Sequence, residues 1–432
     1  MEESYDVMIV GAGLSGVLAA ARIHEQHPDY RILLVEKENR PGGRLRATDP
    51  QAGRYSYGLG HISPALFEFW NQSMKADPEG ADLPGYREKQ PDSLGVLAAG
   101  NIGMAPLSEA FGTTGARAIA GGAAVRDWKL VEKLFEGEEK GLKTTDQAFA
   151  QAWSGTRKSP SAIVMQHLSR TWGVPDLWTA HTRGVLDRAR RSADPAVSGR
   201  WEDALDDLLA RAGDALTLEQ NCRIIRADRQ EDVWVLSSGQ ESFRGHRLVV
   251  AQSPWEALDW LPKEHWPPAL LSVAMKTRPV SLVTLTVTFD YGEPEAIPRM
   301  LLVPAEDVQM MKDGHELCFQ ATLDYELTLQ SPAVVKAVKR LRRSLKKLGK
   351  ALEGITFSEE HIALLPVAWT QPPDLSDKRW ISRLKSASLQ SAQLMFCGDT
   401  YDNQFDGDQN LIRSLQAIDV VLGQQEEGVA GE

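Results

Sequence analysis

The sequence predicts an α/β chain, α+β overall, whose nucleotide-binding domain is interrupted twice. Three observations carry this: a strand, glycine turn and helix at the N-terminus, a return of similar patterning near Trp201, and a strand, loop and helix at the C-terminus. Tyr5–Val10 is a short apolar run that flows into Gly11-Ala12-Gly13-Leu14-Ser15-Gly16, after which Val17–Ile23 has helical spacing. Gly11 permits the sharp turn, Gly13 lets a pyrophosphate approach the backbone and Gly16 lets helix pack on strand, while the helix N-terminus, with Ser15 beside it, faces the phosphates. A second strand, Arg31–Val35, ends at Glu36, twenty residues after Gly16. That carboxylate is placed to accept from a ribose 2′-OH and would repel a 2′-phosphate, which selects FAD or NAD over NADP. Lys37 is a further candidate contact. The order is that of a Rossmann-like dinucleotide-binding domain.

Pro41-Gly42-Gly43-Arg44 follows within a few residues. This is the wrong place for a nicotinamide site, but an arginine here can reach back to the pyrophosphate, so FAD fits better; a solvated surface arginine is the alternative. The glycine turn, the ribose acid and the Gly-Gly-Arg turn together resemble the flavin-dependent amine oxidase superfamily, which includes carotenoid desaturases and protoporphyrinogen oxidases. The resemblance implies an FAD-binding domain paired with a substrate domain.

Composition agrees. The chain has 432 residues, 42% of them hydrophobic and 25% charged, as expected of a globular protein of two or three domains. A formal charge of −11 argues against nucleic acid as a principal partner. The acidic start MEESYD leads straight into the first strand, and the most apolar region, Leu270–Phe289, is broken by Lys276 and Arg278. Neither a Sec-type leader nor an integral membrane segment is expected. Cys222, Cys318 and Cys397 have neither disulfide-framework nor metal-ligand spacing, so a reducing cytoplasm is the expected setting.

The expected organisation is an FAD-binding domain in three parts, 1–65, 201–254 and 375–432, with a mainly helical insertion over 66–200 and a substrate domain over 255–374. Ala76–Ser93 reads as a polar surface excursion, 112–124 is Gly/Ala-rich with no decisive pattern, and 128–190 has helical spacing. From Trp201 the pattern gives a helix over Asp203–Arg211, strands over Leu216–Leu218 and Arg223–Ala227, a hairpin of Val233–Ser237 with Ser242–Phe243, and a buried strand over Arg247–Ala251. By the resemblance, Cys222 touches adenine through its backbone and the strand ending at Ala251 lies beside the cofactor, as does Gly60 after the second strand. In the substrate domain, strands are expected over Ser281–Phe289, Met300–Val303, Leu317–Thr322 and His361–Trp369. The basic helix Ser331–Leu352 is read either as packing an apolar stripe on the sheet or as a surface for an anionic membrane or acidic partner.

At the C-terminus, Gln393–Cys397 reads as a strand, Gly398-Asp399 opens a loop, and Gln409–Leu422 is a helix with Asp408 as N-cap. The resemblance puts Gly398 and Asp399 at the ribityl or pyrophosphate portion of FAD. It puts the N–H groups of the Asp408-Gln409-Asn410 turn at flavin O2, although the family's glycines there are missing. Cys397 lies on the strand, so FAD is expected to bind non-covalently. Bound FAD accepts a hydride at N5, and oxidation of a C–N bond gives an imine. His61 is the first candidate to shape or deprotonate a small-molecule substrate, since histidine titrates near neutrality; a structural histidine is the alternative. Trp369 and Tyr401 are candidates to wall the flavin, or are core. O2 is a candidate acceptor, and homodimerisation stays open. Three functions compete: oxidation of an amine or modified amino acid, with specialised metabolism as a setting; desaturation of a C–C bond; and a flavin-fold partner protein without turnover.

Overall fold

The structure is a computed structural model that describes residues 4–45, 61–73, 87–89, 93–98, 100–105, 149–153, 196–198, 201–289, 297–313, 316–352, 355–371, 384–401 and 407–429, with scattered positions between 133 and 186. In chain order, the longer elements begin with β1 (Ser4–Val10), α1 (Leu14–Gln26), β2 (Ile32–Val35), β3 (His61–Ile62), α2 (Pro64–Ser73), β4 (Arg87–Lys89), β5 (Leu94–Ala98) and β6 (Asn101–Ala105). Next come β7 (Ala196–Ser198), α3 (Trp201–Ala212), β8 (Leu216–Glu219), β9 (Arg226–Gln230), β10 (Val233–Ser237), β11 (Ser242–Val250) and α4 (Pro268–Lys276). The last are β12 (Arg278–Phe289), β13 (Met300–Val303), β14 (Val308–Asp313), β15 (Glu316–Asp324), α5 (Ser331–Ala351), β16 (Phe357–Gln371), β17 (Leu394–Phe396) and α6 (Gly407–Val429). The chain divides into two compact units: Met1–Glu88 with Val197–Thr277 and Arg379–Glu432, and Lys89–Ala196 with Arg278–Lys378.

In the first unit β8, β2, β1, β11 and β17 are joined in parallel, and β10 and β9 add antiparallel strands beside the first half of β11. All four residues of β2, Ile32-Leu33-Leu34-Val35, are buried, the continuous apolar run of a strand covered on both faces. Leu18, Trp70, Leu205 and Leu415, from α1, α2, α3 and α6, belong to the core on one face. Trp234, Trp260, Trp266, Leu270 and Phe396 belong to the core on the other.

Two strand expectations are corrected here. The strand expected over Arg223–Ala227 runs over Arg226–Gln230, because pairing with β10 sets its limits: Gln230 lies opposite Val233, and Glu231 turns the chain with φ 55°. The apolar pair Ile224-Ile225 marks no strand; Ile224 is core and Ile225 is exposed. Ser242–Phe243 and Arg247–Ala251 are not two strands but parts of β11. The polar stretch between them stays extended because β1 pairs with it from Arg244 to Val250.

In the second unit the sheet order is β16-β12-β15-β14-β13-β5-β6. Only β13–β5 is a parallel pair among these neighbours. The hairpin of β5 and β6 and the strand β14 were not anticipated; their Gly-, Gln- and Lys-containing stretches lack a clear alternation, and cross-strand pairing stabilises them, β5 with the distant β13 and β14 with its neighbours β13 and β15. Val283, Leu285, Val287 and Phe319 pack with Ala337, Leu341 and Leu348 of α5. On the opposite face the β13–β5 end packs against Phe149, Trp153 and Met165. The β12–β15–β14 part of that face instead buries Thr284, Thr286, Gln309 and Gln320.

The basic helix packs its apolar stripe on the sheet, and several of its cations are engaged. Arg343 Nε and Lys347 Nζ donate to Glu306 at 2.7 and 2.5 Å, Arg340 pairs with Asp307, and Arg342 with Glu360. Burial pushes the Glu306 carboxyl up, but hydrogen bonds and charge from Lys347 and Arg343 outweigh it and leave the pKa below the ordinary value. Among the described residues no helix is long and apolar enough to cross a membrane. The expectations for 112–124, and nearly all of that for 128–190, lie outside the described residues.

Candidate functional site

The β1–α1 turn brings backbone against backbone at its glycines. Gly11 has φ 108° and donates from its N–H to Val35 O at 2.8 Å. A Cβ on Gly16 would lie 1.8 Å from Gly11 O, so no other residue fits there without moving backbone. Gly13 is the N-cap of α1, whose first turn carries no acid. The N–H groups at this end have no intrahelical acceptor and favour an anion. Gly42 N donates to Ala12 O at 2.8 Å, and a Cβ on Gly43 would stand 3.0 Å from Gly13 Cα. Two glycine turns, about thirty residues apart in sequence, thus meet backbone to backbone. A cradle that a single Cβ would fill fits a diphosphate.

Glu36 is buried at the end of β2. Its two carboxylate oxygens accept from Ala12 N and Glu38 N, each at 2.9 Å, so the acid is anchored to the turn. An ionised carboxylate has about four acceptor sites, which leaves capacity for a ribose hydroxyl. Cys222 N donates to Glu36 O at 2.9 Å, which sets the Cys222 backbone beside the acid; burial pushes its thiol pKa up. Ala251 N donates to Val10 O at 3.0 Å and its carbonyl lies against Gly11. Lys37 turns to Glu256, Nζ to Oε1 at 2.8 Å. Burial lowers the Lys37 pKa, yet the charge and hydrogen bond of Glu256 leave it raised.

Arg44 and Asp399 meet each other across 355 residues, Nη2 to Oδ2 at 2.7 Å, with each side chain about one-third exposed. The Asp399 charge, against the opposing effect of burial, raises the Arg44 pKa. Asn410 Nδ2 donates to Asp399 O at 2.8 Å, and Gly398 N donates to Ser414 Oγ at 3.1 Å, so the first turns of α6 hold the Gly398-Asp399 loop. Gln409 lies half-buried in the same turn. The helix begins at Gly407, one residue before the expected N-cap, so Asp408 is inside it. Its Oδ2 accepts from Ser63 N at 2.6 Å, and Ser63 Oγ accepts from Leu66 N at 3.2 Å. The carboxylate therefore ties the start of α2 to the start of α6.

Tyr401, the candidate flavin wall, follows the Gly398-Asp399 loop. It is fully buried, and its OH donates to Gln252 O at 2.6 Å. Burial, with Asp399 and Glu256 nearby, pushes its phenol well above the ordinary value. Cys397 is also fully buried, and burial pushes its thiol up to about 12. His61 lies on β3 opposite Ser198 of β7, and Trp369 lies on β16 opposite Val280. Gly60 lies outside the described residues.

Sequence reasoning missed Gln252, Glu256, Ser63 and Ser414. For Glu256 a signal existed: Ser253-Pro254-Trp255-Glu256 is a capping box, in which Ser253 Oγ accepts from Glu256 N at 3.3 Å. The others act through contacts with residues far away in sequence.

Residues 9–73 match the NAD(P)-binding Rossmann-like domain family. Two curated proteins match over short segments: a lycopene beta-cyclase from Pantoea ananas, 46% identical over 43 residues, and a probable malate:quinone oxidoreductase from Prochlorococcus marinus, 38% identical over 52. These cover 10% and 12% of this chain and 11% and 10% of those proteins. Solved structures match over nearly the whole chain. A cyclohexylamine oxidase from Brevibacterium oxydans superposes with a TM-score of 0.71 at 16% identity, covering 98% of this chain and 100% of that one. A putative protoporphyrinogen oxidase from Exiguobacterium gives 0.65 at 14%, covering 98% and 100%. An oxidoreductase from Methanosarcina mazei gives 0.67 at 14%, covering 96% and 99%. The chain thus shares the two-unit α/β fold of these proteins.

Proposed function

We propose that this chain is an FAD-dependent oxidoreductase of the amine-oxidase type, which oxidises the C–N bond of an amine or modified amino acid to an imine. The observation that carries this is the cradle where the Gly11–Gly16 turn meets Gly42 and Gly43, in a fold shared end to end with a cyclohexylamine oxidase. In this reading Gly11, Gly13, Ser15, Gly16 and Gly43 receive the diphosphate, and Glu36 accepts from the adenosine ribose. Cys222 and Ala251 border the adenosine side. Arg44 and Asp399 serve the pyrophosphate and ribityl portion, where a charge-paired arginine keeps a fixed orientation for an anion, and the N–H groups of the Asp408-Gln409-Asn410 turn serve flavin O2.

Bound FAD would supply a hydride acceptor. The chain itself would orient the amine, exclude water and remove its proton, with His61 as the candidate base and Trp369 as a candidate wall. FAD held non-covalently, O2 as electron acceptor and a cytoplasmic setting belong to the same proposal. Full burial of Cys397 supports the first of these.

Four stretches resemble the L-tryptophan oxidase of violacein biosynthesis: GGRLR at 42–46, ISP at 62–64, YGEP at 291–294 and CGDTY at 397–401. The departures point away from its substrate. His61 stands in place of a carboxylate-binding arginine, Thr286 in place of a lysine, and Gln320 near a substrate-contacting tyrosine. Without a permanently charged clamp, an ordinary L-amino acid is disfavoured. The test is reconstitution with FAD, followed by anaerobic titration with aromatic amines, polyamines and amino acid amides. Bleaching of the oxidised-flavin bands and peroxide release in air are expected. Reduction only by substrates that lose hydrogen from a C–C bond would select a desaturase, and protein that takes up no FAD would overturn the proposal.

A further inference from the structure

We propose that the buried polar face of the second unit's sheet is a substrate-recognition subsite that selects a neutral hydrogen-bond donor, such as a carboxamide, through Gln309 Oε1. Strand register assembles it. Gln309 of β14 lies opposite Gln320 of β15, Gln320 opposite Thr284 of β12, and Thr284 opposite Ala363 of β16. The parallel row two residues along is Met311, Cys318, Thr286 and His361. The intervening residues Met310, Phe319 and Leu285 point to the other face, where they pack with α5.

Gln309 and Gln320 are each 5% exposed. Gln309 Nε2 donates to Gln320 Oε1 at 2.8 Å, and Gln320 Nε2 donates to Cys318 Sγ at 3.7 Å. With the amides so arranged, Gln309 Oε1 is left buried without a partner. A buried carbonyl oxygen is expected to be hydrogen-bonded, and an orphan at the end of an otherwise ordered network calls for a ligand. The face is polar by choice of residue, since its β13–β5 end is filled by Leu94, Val96, Met300 and Leu302.

The rows also state what the ligand is not. Apart from His361 at the β16 edge they hold no ionisable side chain other than the Cys318 thiol, whose pKa burial pushes up. A carboxylate would face a carbonyl oxygen with no fixed cation in the rows, and would meet the charge of Glu316, which bears on the Cys318 thiol from the next position of β15 on this face. An uncharged N–H or O–H meets neither cost.

The inference rests on the proposed function only in calling the ligand a substrate; binding can be read without turnover. Isothermal titration calorimetry of the full chain, loaded with FAD and kept anaerobic, compares benzamide, indole-3-acetamide and L-tryptophanamide with the matching carboxylates. At least one amide should bind about tenfold more tightly than its carboxylate, the value of one hydrogen bond of ordinary strength. Gln309→Leu should erase that preference. So should the double variant Gln309→Leu/Gln320→Leu, which removes both amides together and guards against a single variant that fails to fold. Binding of no amide, or a preference that survives in either variant, overturns the inference. A flavin that no amine reduces would instead defeat the proposed function and leave the amide comparison readable.

Discussion

Gly16→Ala tests the glycine turn most directly. The new Cβ would stand 1.8 Å from Gly11 O and 3.0 Å from Gly11 C, both backbone atoms. Relaxed C–H···O contacts lie near 3.3 Å, so strand end and helix must separate by about 1.5 Å. Neither yields easily, because Gly11 N is bonded to Val35 O at 2.8 Å and Val17 N to Gly13 O at 3.0 Å. Overpacking of this kind costs about 3 kcal/mol, the upper end of its usual range. Gly423→Ala is the control: Gly423 is an exposed helical residue of α6 with nothing within 4 Å of its Cβ position. There alanine should stabilise by about 1 kcal/mol through helix propensity. Two chemically identical substitutions should therefore melt about 4 °C apart, taking about 1.1 °C per kcal/mol for a chain of this size, from about 2.1 cal/mol/K of unfolding entropy per residue. Differential scanning calorimetry without FAD reads that gap, and fluorescence titration with FAD should show affinity for Gly16→Ala down by at least about tenfold. Equal melting temperatures and unchanged FAD affinity would refute the contact and its role.

Arg44→Met and Asp399→Asn should each change stability by no more than about 1 kcal/mol, since the pair is partly exposed; both should weaken FAD binding about tenfold or more, and FAD titrations unaffected by either would remove the pair from the site. Glu306 has a native pKa below its unfolded value, so its ion pairs stabilise the protein above about pH 4.5 and that contribution fades as pH falls through the lowered native pKa. Glu306→Gln should cost about 1–2 kcal/mol at pH 7 and flatten the acid limb in urea melts between pH 7 and 3; a parallel limb would disprove the pairing. Cys397, with its thiol near 12, should resist iodoacetamide at pH 8 until the chain is unfolded, as read by mass spectrometry. Tyr401→Phe should lower stability by about 1–2 kcal/mol by stripping Gln252 O of its donor, with flavin reduction rates intact; a large rate loss would return Tyr401 to the catalytic list.

Local chemistry was legible wherever one stretch of chain contains its own cause. The β1–α1 turn, the fully buried β2 and the amphipathic α5 follow from glycine geometry and residue periodicity, and each was located to within a few residues. Periodicity failed where pairing decides. The Arg244–Arg247 stretch reads as a break yet stays in β11 because β1 supplies hydrogen bonds along its whole length. The ion pair of Lys37 with Glu256 could not be read from the sequence, because the partners are 219 residues apart.

Thus the amino-acid order alone determined the β1–α1 glycine turn, the acid that ends the second strand and the net charge of −11, since these depend on composition or on neighbours within one turn or one strand. Tertiary structure alone decided that Arg44 meets Asp399, that β5 joins β13, and that Gln309 lies beside Gln320 with one oxygen unspent. Such pairings depend on strand register and on which buried polar atoms find partners, quantities set by the whole packed chain rather than by any segment of it.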